Sequence, residues 1–137
     1  MKKKIILAAT ALVMGMASCD NTPKTMDING DWKVATIAGE EVPETMEEAT
    51  LSFDTSNNSY HGVTGVNLIN GEYELKEGNL TLSEGAMTRM MGDSISDAVE
   101  IKYISAIHAV TTVAEEEGKL LLMDSEGNTL MTLVRKQ

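Results

Sequence analysis

A chain of 137 residues with only 4% aromatics has the length of one domain, and its core must be built from aliphatic side chains and methionine. Its formal net charge of −10 argues against nucleic-acid binding, which needs a basic surface. The same balance argues against adsorption to an anionic membrane face through side chains.

The chain opens on a basic stretch, Met1-Lys2-Lys3-Lys4, followed by an apolar run from Ile5 to Met16 and small residues before Cys19. This pattern predicts a signal peptide over residues 1–18, too short for an ordinary membrane span. Removing it leaves 119 residues, with eight basic against 21 acidic side chains. Cys19 is the single cysteine, and an unpaired cysteine in an exported protein needs a role. Met16-Ala17-Ser18-Cys19 resembles the bacterial lipobox, although leucine is usual where Met16 stands. That resemblance implies a diglyceride on the Cys19 thiol and cleavage just before it. Acyl chains such as palmitate would then anchor the protein stably to a bacterial membrane, facing the periplasm or the cell surface. The alternative is a plain secreted protein with an incidental thiol. Residues 19–27 are polar, contain Pro23 and lack periodicity, so they read as a tether.

The domain proper is expected over residues 28–137. Asn29-Gly30-Asp31 is a turn that releases a strand with Trp32, Val34 and Thr36 on one face and Lys33, Ala35 and Ile37 on the other. Trp32 reads as a core anchor at the start of the domain. Glu40 to Glu48 is acidic, carries Pro43 and reads as a surface loop. Ala49 to Phe53 alternates, with Ala49, Leu51 and Phe53 inward. Tyr60 to Asn67 returns into a bend at Gly62-Val63-Thr64-Gly65, and Asn70-Gly71 predicts a turn before a new strand from Glu72. Glu77-Gly78-Asn79 turns again, and Leu80 and Leu82 continue the alternation.

Gly85 to Gly92 breaks the pattern, and a helix is predicted over Asp93 to His108. Ser94 with Asp97 fits a capping box. Val99, Tyr103, Ile107 and Val110 form one stripe, while Ile95 and Ile101 fall outside it, which predicts cover on more than one side. Thr111 to Ala114 is a further strand candidate. Leu120 to Met123 reads as a strand buried on both faces, and Thr129 to Val134 pairs back with it. The expected fold is mainly β with one helix (α+β): a small antiparallel sheet of about seven or eight strands. It would curl into a barrel-like form without exposed edges, with the helix inserted late between strands.

This order of motifs resembles the META domain family, a group of HslJ-like bacterial lipoproteins. The resemblance rests on Trp32, Phe53-Asp54, Gly62-Val63-Thr64-Gly65-Val66-Asn67, Gly71-Glu72-Tyr73, Thr88-Arg89-Met90-Met91-Gly92, Glu100 and the hairpin from Leu120 to Val134. It implies the barrel-like fold with its helix, and a setting in bacterial envelopes and heat-shock or stress response. It implies no site. Val66 and Gly92 stand where the family commonly has two cysteines. Both being absent implies that the two positions are close in space and joined by packing.

Catalytic signatures are sparse. His61 and His108 share no ligand spacing, which gives no metal expectation. Met87, Met90 and Met91 have a spacing that soft copper(I) sites use, but core packing explains methionine equally well. There is no nucleophile elbow, P-loop or dinucleotide fingerprint, so no cofactor is expected. Asp93-Ser94-Ile95 resembles a bacterial O-glycosylation acceptor, and helix capping accounts for Ser94 as well. The expectation is a non-enzymatic domain, lipid-anchored at Cys19, that binds an envelope partner or an apolar ligand in a barrel mouth. The alternatives are a hydrolase using paired carboxylates and an inhibitor or chaperone-like partner of secreted proteins. Mass spectrometry of the protein purified from its native membrane should give a species starting at an acylated Cys19; an intact Met1 terminus would refute the anchor.

Overall fold

The computed structural model describes residues 26–136. The predicted signal peptide, Cys19 and all of the tether except Met26 and Asp27 lie outside the described residues. Ten strands and one helix follow in order: β1 (Gly30–Ile37), β2 (Glu40–Glu41), β3 (Thr50–Asp54), β4 (Ser59–Val63), β5 (Leu68–Lys76), β6 (Asn79–Leu82), β7 (Ala86–Met87), α1 (Ser94–Ala109), β8 (Thr112–Glu116), β9 (Lys119–Met123) and β10 (Thr129–Arg135). Eight of the strands form a ring in the order β1-β3-β4-β5-β6-β8-β9-β10, and β10 pairs back onto β1. Every pairing is antiparallel, with β2 and β7 as two-residue additions to β1 and β5. Closure removes the long free edges that an open sheet of this size would carry.

The seams differ in strength. β1 and β10 pair along most of their length, from Trp32↔Arg135 to Ile37↔Met131. β6 and β8 meet only at Asn79↔Thr112, reinforced by Leu80 N–H donating to Thr111 O at 2.9 Å and Val113 N–H to Gly78 O at 2.9 Å. Local chemistry explains the tight hairpins. Glu77-Gly78 and Glu117-Gly118 both have positive φ at each residue (55° and 85°; 55° and 81°), the geometry of a two-residue hairpin loop.

Leu51, Leu80, Leu120, Met131 and Leu133 from the strands, and Tyr103 from α1, are all fully buried in one core. The predicted helix stripe is the buried one: Val99, Tyr103, Ile107 and Val110 all enter this core. The hydroxyl of Tyr103 donates to Thr50 O at 2.6 Å, and burial pushes its phenol far above the ordinary value. Gly62 makes that bond feasible, because a Cβ there would overlap both the Tyr103 hydroxyl and Thr50 O.

Trp32 is the expected anchor at the start of the domain. Its ring is buried, its Nε1–H donates to Ile28 O at 2.9 Å, and the Arg135 guanidinium stacks 4.0 Å from the ring centroid. Arg135 also donates to Asn29 O, and to Asp27 O at 3.2 Å.

Five expectations change. A bulge between Val34 and Thr36 resets the alternation of β1, so Ile37 joins the core and Thr36 is only half-buried. Asn70-Gly71 is not a turn: it lies inside β5, where Asn70 pairs with His61 and Gly71 with Tyr60. Gly71 serves a steric purpose, since a Cβ there would stand 2.6 Å from Ser83 Oγ and 2.7 Å from the Tyr60 ring. The helix cap is Asp93, whose carboxylate accepts from Ser96 N–H at 2.7 Å, so Ser94 is the first helical residue. Leu121 and Met123 are half-buried, so β9 is covered fully on one face only. Ile95 and Ile101 are 54% and 68% exposed, so the helix buries a single side.

A glycine needed for space and a glycine needed for conformation respond differently to asparagine, which tolerates positive φ but adds bulk. Gly71→Asn should therefore cost about 1–3 kcal/mol in denaturant unfolding, whereas Gly78→Asn in the β5–β6 turn should cost under about 1 kcal/mol.

Candidate functional site

The polar centre of the molecule is built at the bend between β4 and β5. Gly65 holds φ of 111°, which lets the chain double back so that Thr64 N–H donates to Asn67 O at 2.8 Å. Thr64 Oγ1 then accepts from Asn67 N–H at 3.0 Å and donates to Glu100 Oε2 of α1 at 2.6 Å. Asn67 is 1% exposed, and its carboxamide uses its full bonding capacity. Nδ2 donates to Glu100 Oε2 at 2.7 Å and to Met90 O at 3.0 Å. Oδ1 accepts from Thr88 Oγ1 at 2.8 Å and Met90 N–H at 2.6 Å. One buried side chain thus ties the bend to the segment that follows β7 and to the helix.

Beside this clasp, Val66 packs into the space that Gly92 leaves open. An ideal Cβ at Gly92 would lie 2.6 and 3.2 Å from the two Val66 methyls. Gly92 N–H donates to Asp97 Oδ1 at 3.0 Å, so Asp97, in the first turn of α1, holds the segment before the helix and is not its N-cap. Asp93 takes that role, and hydrogen bonds from Ser96 hold its carboxyl below the usual carboxylate range.

The acidic segment 40–48 straps across the helix start. Val42 N–H donates to Ala35 O at 3.1 Å, Glu47 N–H to Gly65 O at 3.0 Å, and Met46 N–H to the buried Ser96 Oγ at 2.9 Å. Lys102 reaches Glu40 at 3.5 Å, and Glu48 lies 2.8 Å from Lys136 and 3.7 Å from Lys33. The hydrogen bond from Lys136 holds the Glu48 carboxyl below its ordinary value. Two clefts flank the strap and share Glu41, Val42 and Pro43. The one toward β1 and β10 is about 750 Å³ and mixed in polarity, with Lys33, Glu48 and Lys119 in its lining. The one toward α1 is about 410 Å³ and largely apolar, lined by Ile37, Val42, Pro43, Ile95, Ala98 and Val99.

The exposed large hydrophobic side chains among the described residues are Met46, Leu68, Met90, Met91, Ile95 and Ile101. All six lie on the N-terminal half of α1 or on segments bonded to it or to the clasp. Leu68 follows Asn67 directly, and Met91 adjoins Gly92. Leu68 alternates with the buried Ile69 and lines a different cleft with Thr50, Ser52 and His61, whereas the other five lie on the strap, the segment 88–92 and α1, which hydrogen bonds tie together.

The chemistry-bearing residues singled out from the sequence are placed as follows. His61 is exposed on β4 and His108 in the last turn of α1. Among the described residues no group of three or more His, Cys, Asp or Glu side chains could hold a metal ion. Met87 is half-buried against the core, while Met90 and Met91 are exposed. Ser94 is exposed at the head of the helix and Trp32 is interior. The strands and α1 share one buried core, and both clefts described above border the strap. Residues that local pattern could not single out are Thr64, Thr88 and Met46, whose partners lie 36, 21 and 50 positions away.

The model of the META domain family matches residues 24–137. A search among curated proteins finds no match. Solved structures share the fold. An NMR structure of a protein from Burkholderia xenovorans is 21% identical with a TM-score of 0.61, covering 88% of this chain and 96% of that one. A second NMR structure is also 21% identical with a TM-score of 0.61, covering 78% and 89%. A crystal structure of a DUF4847 family protein from Bacteroides vulgatus ATCC 8482 is 12% identical with a TM-score of 0.58, covering 80% and 94%.

The Val66–Gly92 geometry puts the two Cβ positions at most about 4 Å apart, close enough for a disulfide. Val66→Cys with Gly92→Cys should oxidise spontaneously, seen as loss of two free thiols by mass spectrometry. It should add about 3 kcal/mol to unfolding stability over the reduced form; persistent free thiols would show that the two positions do not meet.

Proposed function

This chain belongs to the META domain family, and from that premise we propose that it is a lipid-anchored cell-envelope protein whose domain binds a partner and catalyses no reaction. Cys19 carries the anchor. The apolar surface around the N-terminal half of α1 makes the contact, and the setting is envelope maintenance or stress. The observation that carries this reading is that five of the six exposed large hydrophobics, Met46, Met90, Met91, Ile95 and Ile101, lie on α1 or on segments hydrogen-bonded to it. Scattered exposed apolar residues are ordinary, but a grouped set marks an interaction surface. The clasp supports the reading as well: Glu100, the carboxylate nearest the bend, is engaged by Thr64 and Asn67, so it holds the surface in place.

A second reading has one specific observation in its favour. The apolar cleft between the strap and α1, at about 410 Å³, falls within the size range of small-molecule sites. A small apolar ligand would then sit beside the helix and not in the mouth of the ring.

Crosslinking in intact envelopes tests the partner reading. A photoreactive group placed at Ser105, an exposed helical position, should give a discrete crosslinked species with the otherwise native protein. Met91→Ser with Ile101→Ser should abolish that species while leaving the unfolding midpoint within about 0.5 kcal/mol of wild type. An unchanged crosslink in the double variant would overturn the reading.

A further inference from the structure

We infer that the apolar surface around the N-terminal half of α1 receives a cationic amphipathic helical segment of a partner protein. The inference rests on the docking reading above and adds the chemistry of the occupant.

The surface combines two features that together select a partner. Its centre is apolar and rich in methionine, with Met46, Met90 and Met91 at 57%, 57% and 89% exposure. Methionine side chains are unbranched and polarisable, and so adapt to an inserted row of apolar side chains. Its surroundings are acidic. The segments 40–48 and 88–102 carry eight carboxylates against Arg89 and Lys102 alone. Among the described residues, ion pairs engage only Glu40 and Glu48 of those eight. Glu41, Glu47, Asp93, Asp97 and Glu100 therefore have no ion-pair partner among the described residues, while Glu44 lines the other cleft with Lys33 and Lys119.

Charge complementarity decides between occupants. An anionic lipid surface would be repelled by this rim. A second copy would bring the same rim against itself across a two-fold axis, a like-charge meeting that costs affinity. A neutral apolar ligand would fill the cleft and leave the carboxylates unused. A helix with apolar residues at three- and four-residue spacing and lysine or arginine on its flanks answers both features at once. The cleft lined by Val42, Pro43, Ile95 and Ala98, in which Lys102 is paired with Glu40 and Glu41 is left over, offers a recess for one large apolar anchor of that helix.

The test uses the full mature chain in detergent and synthetic peptides about four helical turns long, followed by isothermal titration calorimetry. A Leu/Lys amphipathic peptide should bind at least about tenfold more tightly than its Leu/Glu and Leu/Ser counterparts. Met91→Ser with Ile101→Ser should weaken it about tenfold, and so should Glu41→Gln with Glu47→Gln. Glu115→Gln with Glu116→Gln makes the same charge change on the β8–β9 hairpin and should leave binding unaltered. Circular dichroism confirms that each variant is folded. Equal weakening by the hairpin variant would mean unspecific attraction to an acidic protein and would overturn the inference. So would equal binding of the Leu/Glu peptide, or retention by anionic phospholipid vesicles. If the Leu/Ser peptide binds as tightly as Leu/Lys, and that binding depends on Met91 and Ile101, the cationic assignment fails and the docking reading stands. If no peptide binds and the crosslink is also insensitive to Met91 and Ile101, both fail.

Discussion

The saturated carboxamide of Asn67 is the constraint on which the rest of the functional surface depends. A buried amide that lost one partner would leave an unsatisfied group at a cost of about 1–3 kcal/mol. Four side-chain hydrogen bonds to two other segments, 88–90 and α1, leave it no slack. Glutamine is too long for the space and aspartate has no donor for Met90 O, so the chemistry points to asparagine alone. The bend at Gly65 presents this side chain inward, the segment 88–92 hangs from it, and α1 is held to it through Glu100. Because the strap is bonded in turn to Gly65 and Ser96, the whole apolar surface inherits its shape from one polar knot.

That arrangement underlies the proposed binding role. Carboxylates are plentiful here, yet those that are placed closely serve as hydrogen-bond acceptors. Asp93 caps the helix, Asp97 receives Gly92 N–H, and Glu100 receives Thr64 and Asn67. The other acids are spread over the surface, and Glu41 of the strap lies outside the knot and beside the apolar cleft. Hydrogen-bonded support, exposed methionine and nearby unpaired carboxylates are the features on which the proposed docking role rests.

Much of this fold was legible in local pattern, because alternation and turn chemistry are short-range. Trp32, the Ala49–Phe53 strand, the two-residue turns and the helix stripe all follow from spacing alone. The failures share a cause. Gly71 looks like a turn residue when glycine is read as a source of conformational freedom, and its purpose is to leave room for Tyr60. The same holds for Gly92, whose bareness makes sense only against Val66. Ser94 looks like a cap because its spacing to Asp97 fits, yet Asp93 competes one residue earlier and wins. Ile37 reads as outward until the bulge at Val34–Thr36 is known. The clasp was half visible: its asparagine, threonine, methionine and glutamate are the motif positions that carry the family resemblance. That they converge is a statement about pairs 21 to 36 positions apart, beyond the reach of any periodicity.

The stacking of Arg135 on Trp32 has a mechanical consequence. Arg135 also grips the carbonyls of Asp27 and Asn29, just where the chain enters the domain. Any tension transmitted from the preceding residues meets that grip first. Behind it stands β1, which is flanked by β3 on one side and β10 on the other. Drawing β1 out lengthwise would have to shear two ladders together, not peel one. The ring is therefore strongest at the point where a leash would pull on it, and its weakest seam, between β6 and β8, lies off that line of load.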